Sequence, residues 1–169
     1  MKKIVLIISL MASGFIYSQV AIGKTTVESE SSSIEFGNAN RGIVLPWVTD
    51  LASVQNAVNG TLVFDLSDKK VKSYQNSAWV DLSIDGTGVA DSVLQDALNE
   101  NPAAKVAIGT PTATSGILVL EDSNKAMILP KVASPHLNII SPSAGMMVYD
   151  TVKKQLAVFN GSVWTFWGE

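Results

Sequence analysis

Apolar side chains recur at every second position in two stretches of this chain, with Leu62 and Phe64 in one and Met147 and Tyr149 in the other. Each run is four to six residues long, as expected of a half-buried strand. The polar loops "DLSDKK" and "DTVKK" follow. A second apolar run then carries Val71 and Tyr74, or Leu156, Val158 and Phe159. After "QNS" or "NGS" a third run carries Trp79 or Trp164. Asn160-Gly161 suits a tight primed turn, because both residues tolerate positive φ. The pattern predicts two three-stranded β-meanders, each closing on a buried or half-buried tryptophan.

The two stretches are copies of one another. Residues 60–79 and 145–164 align without a gap and share Gly, Val, Asp, Lys, Ser and Trp, 6 identities in 20, with aromatics exchanged only for aromatics. Upstream, "IEFGNANRGIVLP" (34–46) faces "LVLEDSNKAMILP" (118–130), and Val-Ala-Ile-Gly occurs at 20–23 and 106–109. The chain therefore divides into a leader (1–18), a β-rich repeat 1 (19–83), a linker (84–105) and a β-rich repeat 2 (106–169). The fold class is mainly β, two tandem repeats joined by a short helix-containing linker.

Helical signals are few. Leu51, Val54 and Val58 follow Thr49-Asp50 at helical spacing and predict a short helix. Pro135 and Pro142 oppose a long helix in "KVASPHLNIISPSA" (131–144), which reads as a loop or a single turn. In the linker, Gly86 and Gly88 break the chain. Val89, Val93, Leu94, Ala97 and Leu98 then fall on one helical face, ended by Asn101-Pro102.

The start "MKKIVLIISLMASGFIYSQ" has a basic pair, a seven-residue apolar core and small residues before a cut, the order of a secretory signal peptide. Its apolar stretch is short of the roughly 20 residues that span a bilayer. Cleavage is expected between Ser18 and Gln19, which places the protein in the periplasm, on the cell surface or outside the cell. With Lys2 and Lys3 removed, ten of the 12 basic residues face all 15 acids, a net charge of −5. That excludes the clustered positive charge that nucleic acid or anionic lipid requires. There is no cysteine, so neither disulfides nor a thiol-linked lipid can hold the exported chain. Each repeat, about 64 residues, is marginal alone. Repeat 2 is apolar on both faces of its strands and ends in "VWTFWGE". It is expected to pack on another copy or chain, and a homo-oligomer is the preferred solution.

"QVAIGK" at the mature end, "GIVLPW" and "AMILPK" at mid-module, and "GMMVYDTVKKQLAVFNGSVW" resemble the modules of a group of secreted repeat proteins of Bacteroidota. The resemblance covers nearly the whole mature chain, and its motifs are structural. That group is similar in style to the trimeric, β-rich segments of phage tail fibres and adhesins. The likeness implies a surface or extracellular binding role, with a polysaccharide or a protein as partner. Trp47 and Lys131 depart from the pattern, standing where a second proline is usual. "DSV" (91–93) and "DTV" (150–152) match the O-glycosylation acceptor of exported proteins in that bacterial group.

No catalytic constellation emerges. His136 is the only histidine. It sits in a proline-bounded loop with no counterpart in repeat 1, so a surface position outweighs a triad base. One histidine without cysteine does not make a zinc site. "DGTGVAD" (85–91) carries half of a dinucleotide loop and too few oxygens for calcium, and reads as a flexible hinge. Asp65 and Asp150 occupy equivalent strand ends, where carboxylates cap turns. Tyr74, Trp79, Phe159, Trp164 and Trp167 are the candidate ligand or interface residues, because aromatic faces stack on sugars and anchor interfaces. The expected role is a non-enzymatic structural or adhesive module without cofactor, with a carbohydrate-binding protein as the alternative.

Overall fold

The computed structural model describes residues 19–99, 101 and 103–167. The leader and Ser18, the residue before the expected cut, lie outside them. Repeat 1 contributes β1 (Val20–Ile22), β2 (Ser32–Phe36), β3 (Ile43–Val44), β4 (Trp47–Val48), β5 (Leu62–Asp65), β6 (Lys70–Gln75) and β7 (Ala78–Asp81). Repeat 2 contributes β8 (Val106–Ile108), β9 (Leu118–Leu120), β10 (Ala126–Met127), β11 (Lys131–Val132), β12 (Met146–Asp150), β13 (Gln155–Phe159) and β14 (Trp164–Trp167). The fold is mainly β, and the seven strands of one repeat recur in order in the other.

Registers recur as well. β1 runs parallel to β2 with Val20 opposite Ile34, and β8 runs parallel to β9 with Val106 opposite Leu118. β5–β6–β7 and β12–β13–β14 are the two antiparallel meanders. Each meander gains a fourth strand laid parallel on its first, β4 on β5 and β11 on β12. The Leu-Pro pair explains that addition. Proline lacks an N–H and so suits the start of an edge strand, and its carbonyl is what the sheet uses. Phe64 N–H donates to the Pro46 carbonyl at 2.8 Å, and Tyr149 N–H to the Pro130 carbonyl at 2.9 Å.

The helical expectations contract to single turns. After Asp50, whose carboxylate caps Ala52 N–H at 2.9 Å, only a 3₁₀ turn forms at Leu51–Ser53. Asn56 then adopts φ 57° and stops the helix. In the linker one helical turn spans Val93–Asp96, and Val89, Val93, Ala97 and Leu98 of the expected apolar stripe are exposed. Pro135–Asn138 is the single turn that its prolines allow. The segment read as a hinge is pinned. Asn160 Nδ2 donates to the Asp85 carbonyl and carboxylate at 3.2 and 3.1 Å, and a Cβ on Gly88 would lie 2.0 Å from the Asn160 carbonyl.

The tight primed turn falls at Asn76-Ser77, with φ 49° and 64°, and Gln75 pairs directly with Ala78. At the equivalent place Phe159 stands opposite Trp164 and Asn160 N–H donates to the Val163 carbonyl at 3.1 Å, so the loop closes over Gly161-Ser162. Its Asn160 side chain accepts from the N–H groups of Ser162 and Val163 at 2.9 and 2.8 Å. The linker lies against Gly161, whose Cβ would meet the Val89 carbonyl at 1.6 Å.

The main core lies between the two meanders. Phe64, Val71 and Leu45 from repeat 1 meet Ala144, Met147 and Val158 from repeat 2, with Trp167 packed at the side. The other face of the repeat 2 sheet is covered by its own connection, through Val132 and Ile139 on Val148 and Ala157. Repeat 1 thus supplies much of the partner surface that the apolar strands of repeat 2 demand.

Candidate functional site

The candidate aromatics fall into three groups. Tyr74 and Trp79 pair across β6 and β7, with ring centroids 5.2 Å apart and planes at 69°. Phe159 and Trp164 pair at the equivalent place, 5.3 Å apart. Trp167 pairs with Leu156 on the opposite face of its sheet and joins the core between the repeats. All five are half buried. The first pair meets edge to face and the second is tilted, and nothing in either arrangement supports the sugar-stacking alternative.

The faces that carry these pairs differ between repeats. Beside Tyr74 and Trp79, Lys72 is ion-paired to Asp68 and to Asp81, the latter at 2.6 Å, and Lys70 reaches Asp81 at 2.8 Å. Burial lowers the Lys72 pKa, but its bonds to Asp68 and Asp81 outweigh that and raise it above the usual value. In repeat 2 the counterparts of Lys72 and Asp81 are Ala157 and Phe166, and the face is apolar. His136 is exposed and stands edge-on to Phe166 at 5.8 Å.

Asp65 and Asp150 are turn caps. Asp65 Oδ1 accepts from Ser67 N–H at 2.8 Å. Asp150 Oδ1 accepts from Ser134, Val152 and Lys153 N–H at 3.1, 2.9 and 3.3 Å. Burial pushes the Asp150 carboxyl up, and these N–H groups more than reverse it, so its pKa lies below the ordinary carboxylate value. Glu35, on β2, is similarly engaged. It accepts from the N–H groups of Glu28 and Ser29 and pairs with Lys24 at 2.9 Å. Those bonds, the Glu28 N–H first, hold its carboxyl at about 2. Among the described residues no cluster of His, Cys, Asp or Glu could hold a metal ion, and no helix is long and apolar enough to cross a membrane.

The site that the sequence reading missed is the contact between repeats. β3 of repeat 1 adds antiparallel to β12, and β10 of repeat 2 adds parallel to β2. Leu45 N–H donates to the Gly145 carbonyl at 3.1 Å, and Ile128 N–H to the Ile34 carbonyl at 3.0 Å. Side chains reinforce the exchange. Trp47 Nε1 donates to the Ala144 carbonyl at 2.9 Å, and Ser33 Oγ to Asp122 Oδ2 at 2.6 Å. A signal was present in "GIVLP" and "AMILP", apolar runs with no partner strand in their own repeat.

Residues 107–168, which run from β8 past the end of β14, match the family described as a phage tail like trimerisation region. No curated protein and no solved structure matches the chain. Repeat 2 is therefore similar to a segment named for bringing three chains together, and that likeness coincides with the part of the molecule whose strands exchange across a module boundary.

Proposed function

We propose that this chain is an exported, non-enzymatic structural or adhesive module that works as a homotrimer outside the cytoplasm. The match of repeat 2 to a trimerisation region carries this reading. The geometry is compatible with it. The two modules already hold each other by strand exchange, the kind of contact that extends to further copies. Glu35, Asp65 and Lys72 are engaged in caps and ion pairs, which fits a scaffold. The aromatic pairs at Tyr74–Trp79 and Phe159–Trp164 would then serve as interface anchors, with Trp167 in the core.

Light scattering coupled to gel filtration of the exported protein tests this, with mass spectrometry giving the mass of the single chain. The expected particle weighs three times the chain, and the chain begins at Gln19. A particle of one chain mass contradicts the assembly, and a chain that retains Met1 contradicts the export reading.

A further inference from the structure

Each strand that passes between the repeats has a counterpart that ends in an open edge. On β2, odd residues face β1, as Gly37 N–H donating to the Ile22 carbonyl shows, and Ile34 faces outward to receive β10. On β9 the same alternation holds. Ile117 accepts from Val106 and Glu121 donates to Ile108, so Leu118 faces outward. Among the described residues nothing pairs with that side, and β8 and β9 form a sheet of two strands.

β5 and β12 repeat this arrangement. β11 covers the end of β12 at Tyr149 and Asp150, and β3 covers its start at Met146 and Met147. β4 covers the end of β5 at Phe64 and Asp65, and among the described residues nothing pairs with the start of β5 on that edge. Phe64 N–H faces β4, so alternation turns the N–H and C=O of Leu62 the same way, into the uncovered position.

The strands that would fill these edges are also half used. Leu45 N–H is spent on β12, so Val44 presents its backbone groups on the other side of β3. Ala126 N–H is spent on the carbonyl of Ser31, just before β2, and Ile128 N–H on Ile34, so Met127 presents its groups away from β2. β3 thus has a free edge of the kind β10 gives to β2. β10 has a free edge of the kind β3 gives to β12. Two vacancies and two unspent edges match in type, and they lie on opposite repeats.

Burial follows the same division. Ile34, covered by β10, is 3% exposed, and its counterpart Leu118 is 44% exposed. Phe64 is wholly buried against Gly145, whose Cβ would lie 2.9 Å from the Phe64 Cβ. Its counterpart Tyr149 is only half buried, and Gly60, the counterpart of Gly145, has no neighbour within 4 Å of its Cβ position. At the position of Trp47, which bonds the Ala144 carbonyl, repeat 2 carries the exposed Lys131. Its ammonium retains the ability to donate, and the counterpart carbonyl belongs to exposed Asn59.

We propose that a second copy of this chain fills both vacancies, head to tail. Repeat 2 of one copy meets repeat 1 of the next, β10 of the first adding antiparallel to β5 of the second. β3 of the second adds parallel to β9 of the first. Gly60 then packs on Tyr149, and Lys131 reaches the Asn59 carbonyl. The contact is heterologous and reproduces between chains the one made within the chain, and such a contact closes a ring where its rotation closes. This rests on the homotrimer reading, in which three copies close the ring and the β5 and β9 edges of every copy are filled.

The absence of cysteine makes the contact directly testable. Within the chain, Val44 sits opposite Met146. The corresponding pair between copies is Ile128 and Thr61. Chains carrying only Thr61→Cys are co-expressed with chains carrying only Ile128→Cys, and the native particle is oxidised. The expected product is a disulfide-linked heterodimer on non-reducing gels, with neither variant cross-linking alone. A chain carrying both Val44→Cys and Met146→Cys reports on folding, since it should close a bridge within one chain. A trimer by light scattering that forms no Thr61–Ile128 bridge, while the Val44–Met146 bridge forms, overturns the head-to-tail contact and leaves the homotrimer standing. A monomer by light scattering overturns the homotrimer itself.

Discussion

Glu35 shows how one side chain sets local order. Its carboxylate gathers the N–H groups of Glu28 and Ser29 and the Lys24 ammonium, and so fixes the path between β1 and β2. Because those donors favour the charged form, the folded chain binds this proton only near pH 2, against an ordinary value of 4.5. The unfolded chain takes the proton first as pH falls. The stabilisation is therefore complete above pH 4.5 and is lost as pH falls through about 2. Glu35→Gln is expected to destabilise the protein at neutral pH and to make its urea midpoint fall less steeply on acidification than wild type. Denaturation curves followed by circular dichroism across that window check this. An unchanged acid slope in the variant would remove Glu35 as the source. Nothing in the sequence marked Glu35 for this role, because its counterpart in repeat 2 is Val119 and its donors are backbone groups of a loop.

At the scale of elements, the meander strands were legible and the two longer helices were not. The meanders were readable because period-two alternation, a turn and a tryptophan recur at identical spacings in two places. The Leu51–Val58 and Val89–Leu98 patterns have helical spacing too, but spacing alone does not outweigh a left-handed Asn56 or a linker held against the Asn160 turn. β3 and β10 went unseen because a two-residue strand has no periodicity, and its partner lies in the other repeat. The candidate aromatics paired as adjacent-strand neighbours do, and Trp167 separated from Trp164 because three residues along a strand reverse the face. The Asn76-Ser77 turn offers a direct test. Both residues have positive φ, and Ser77 has a Cβ that strains there by about 1 kcal/mol. Ser77→Gly, giving the Asn-Gly pair that this turn type favours, is expected to raise the melting temperature by about 2–4 °C. Differential scanning calorimetry measures it, and a fall in melting temperature would mean that the turn is not of the primed form.

For the molecule as a whole, stability and assembly are linked if the open edges of β5 and β9 close on other copies. A partner that binds only the folded chain stabilises it by mass action. Over roughly a hundredfold rise in concentration above the dissociation constant the gain is about 2.7 kcal/mol, or about 5–10 °C for a chain of this size. The melting temperature of the wild-type protein is therefore expected to rise with its concentration. Leu118→Lys separates this effect from intrinsic stability. Leu118 lies on β9 and is 44% exposed, so a lysine there changes the isolated chain little, within about 0.5 kcal/mol. Lysine on an edge opposes strand addition, because pairing would desolvate its charge. The variant is expected to melt with dilute wild type at every concentration, its curve flat where the wild-type curve climbs. A variant that climbs in parallel with wild type would show that copies meet somewhere other than the β9 edge, and a flat wild-type curve would show that they do not meet in this range at all.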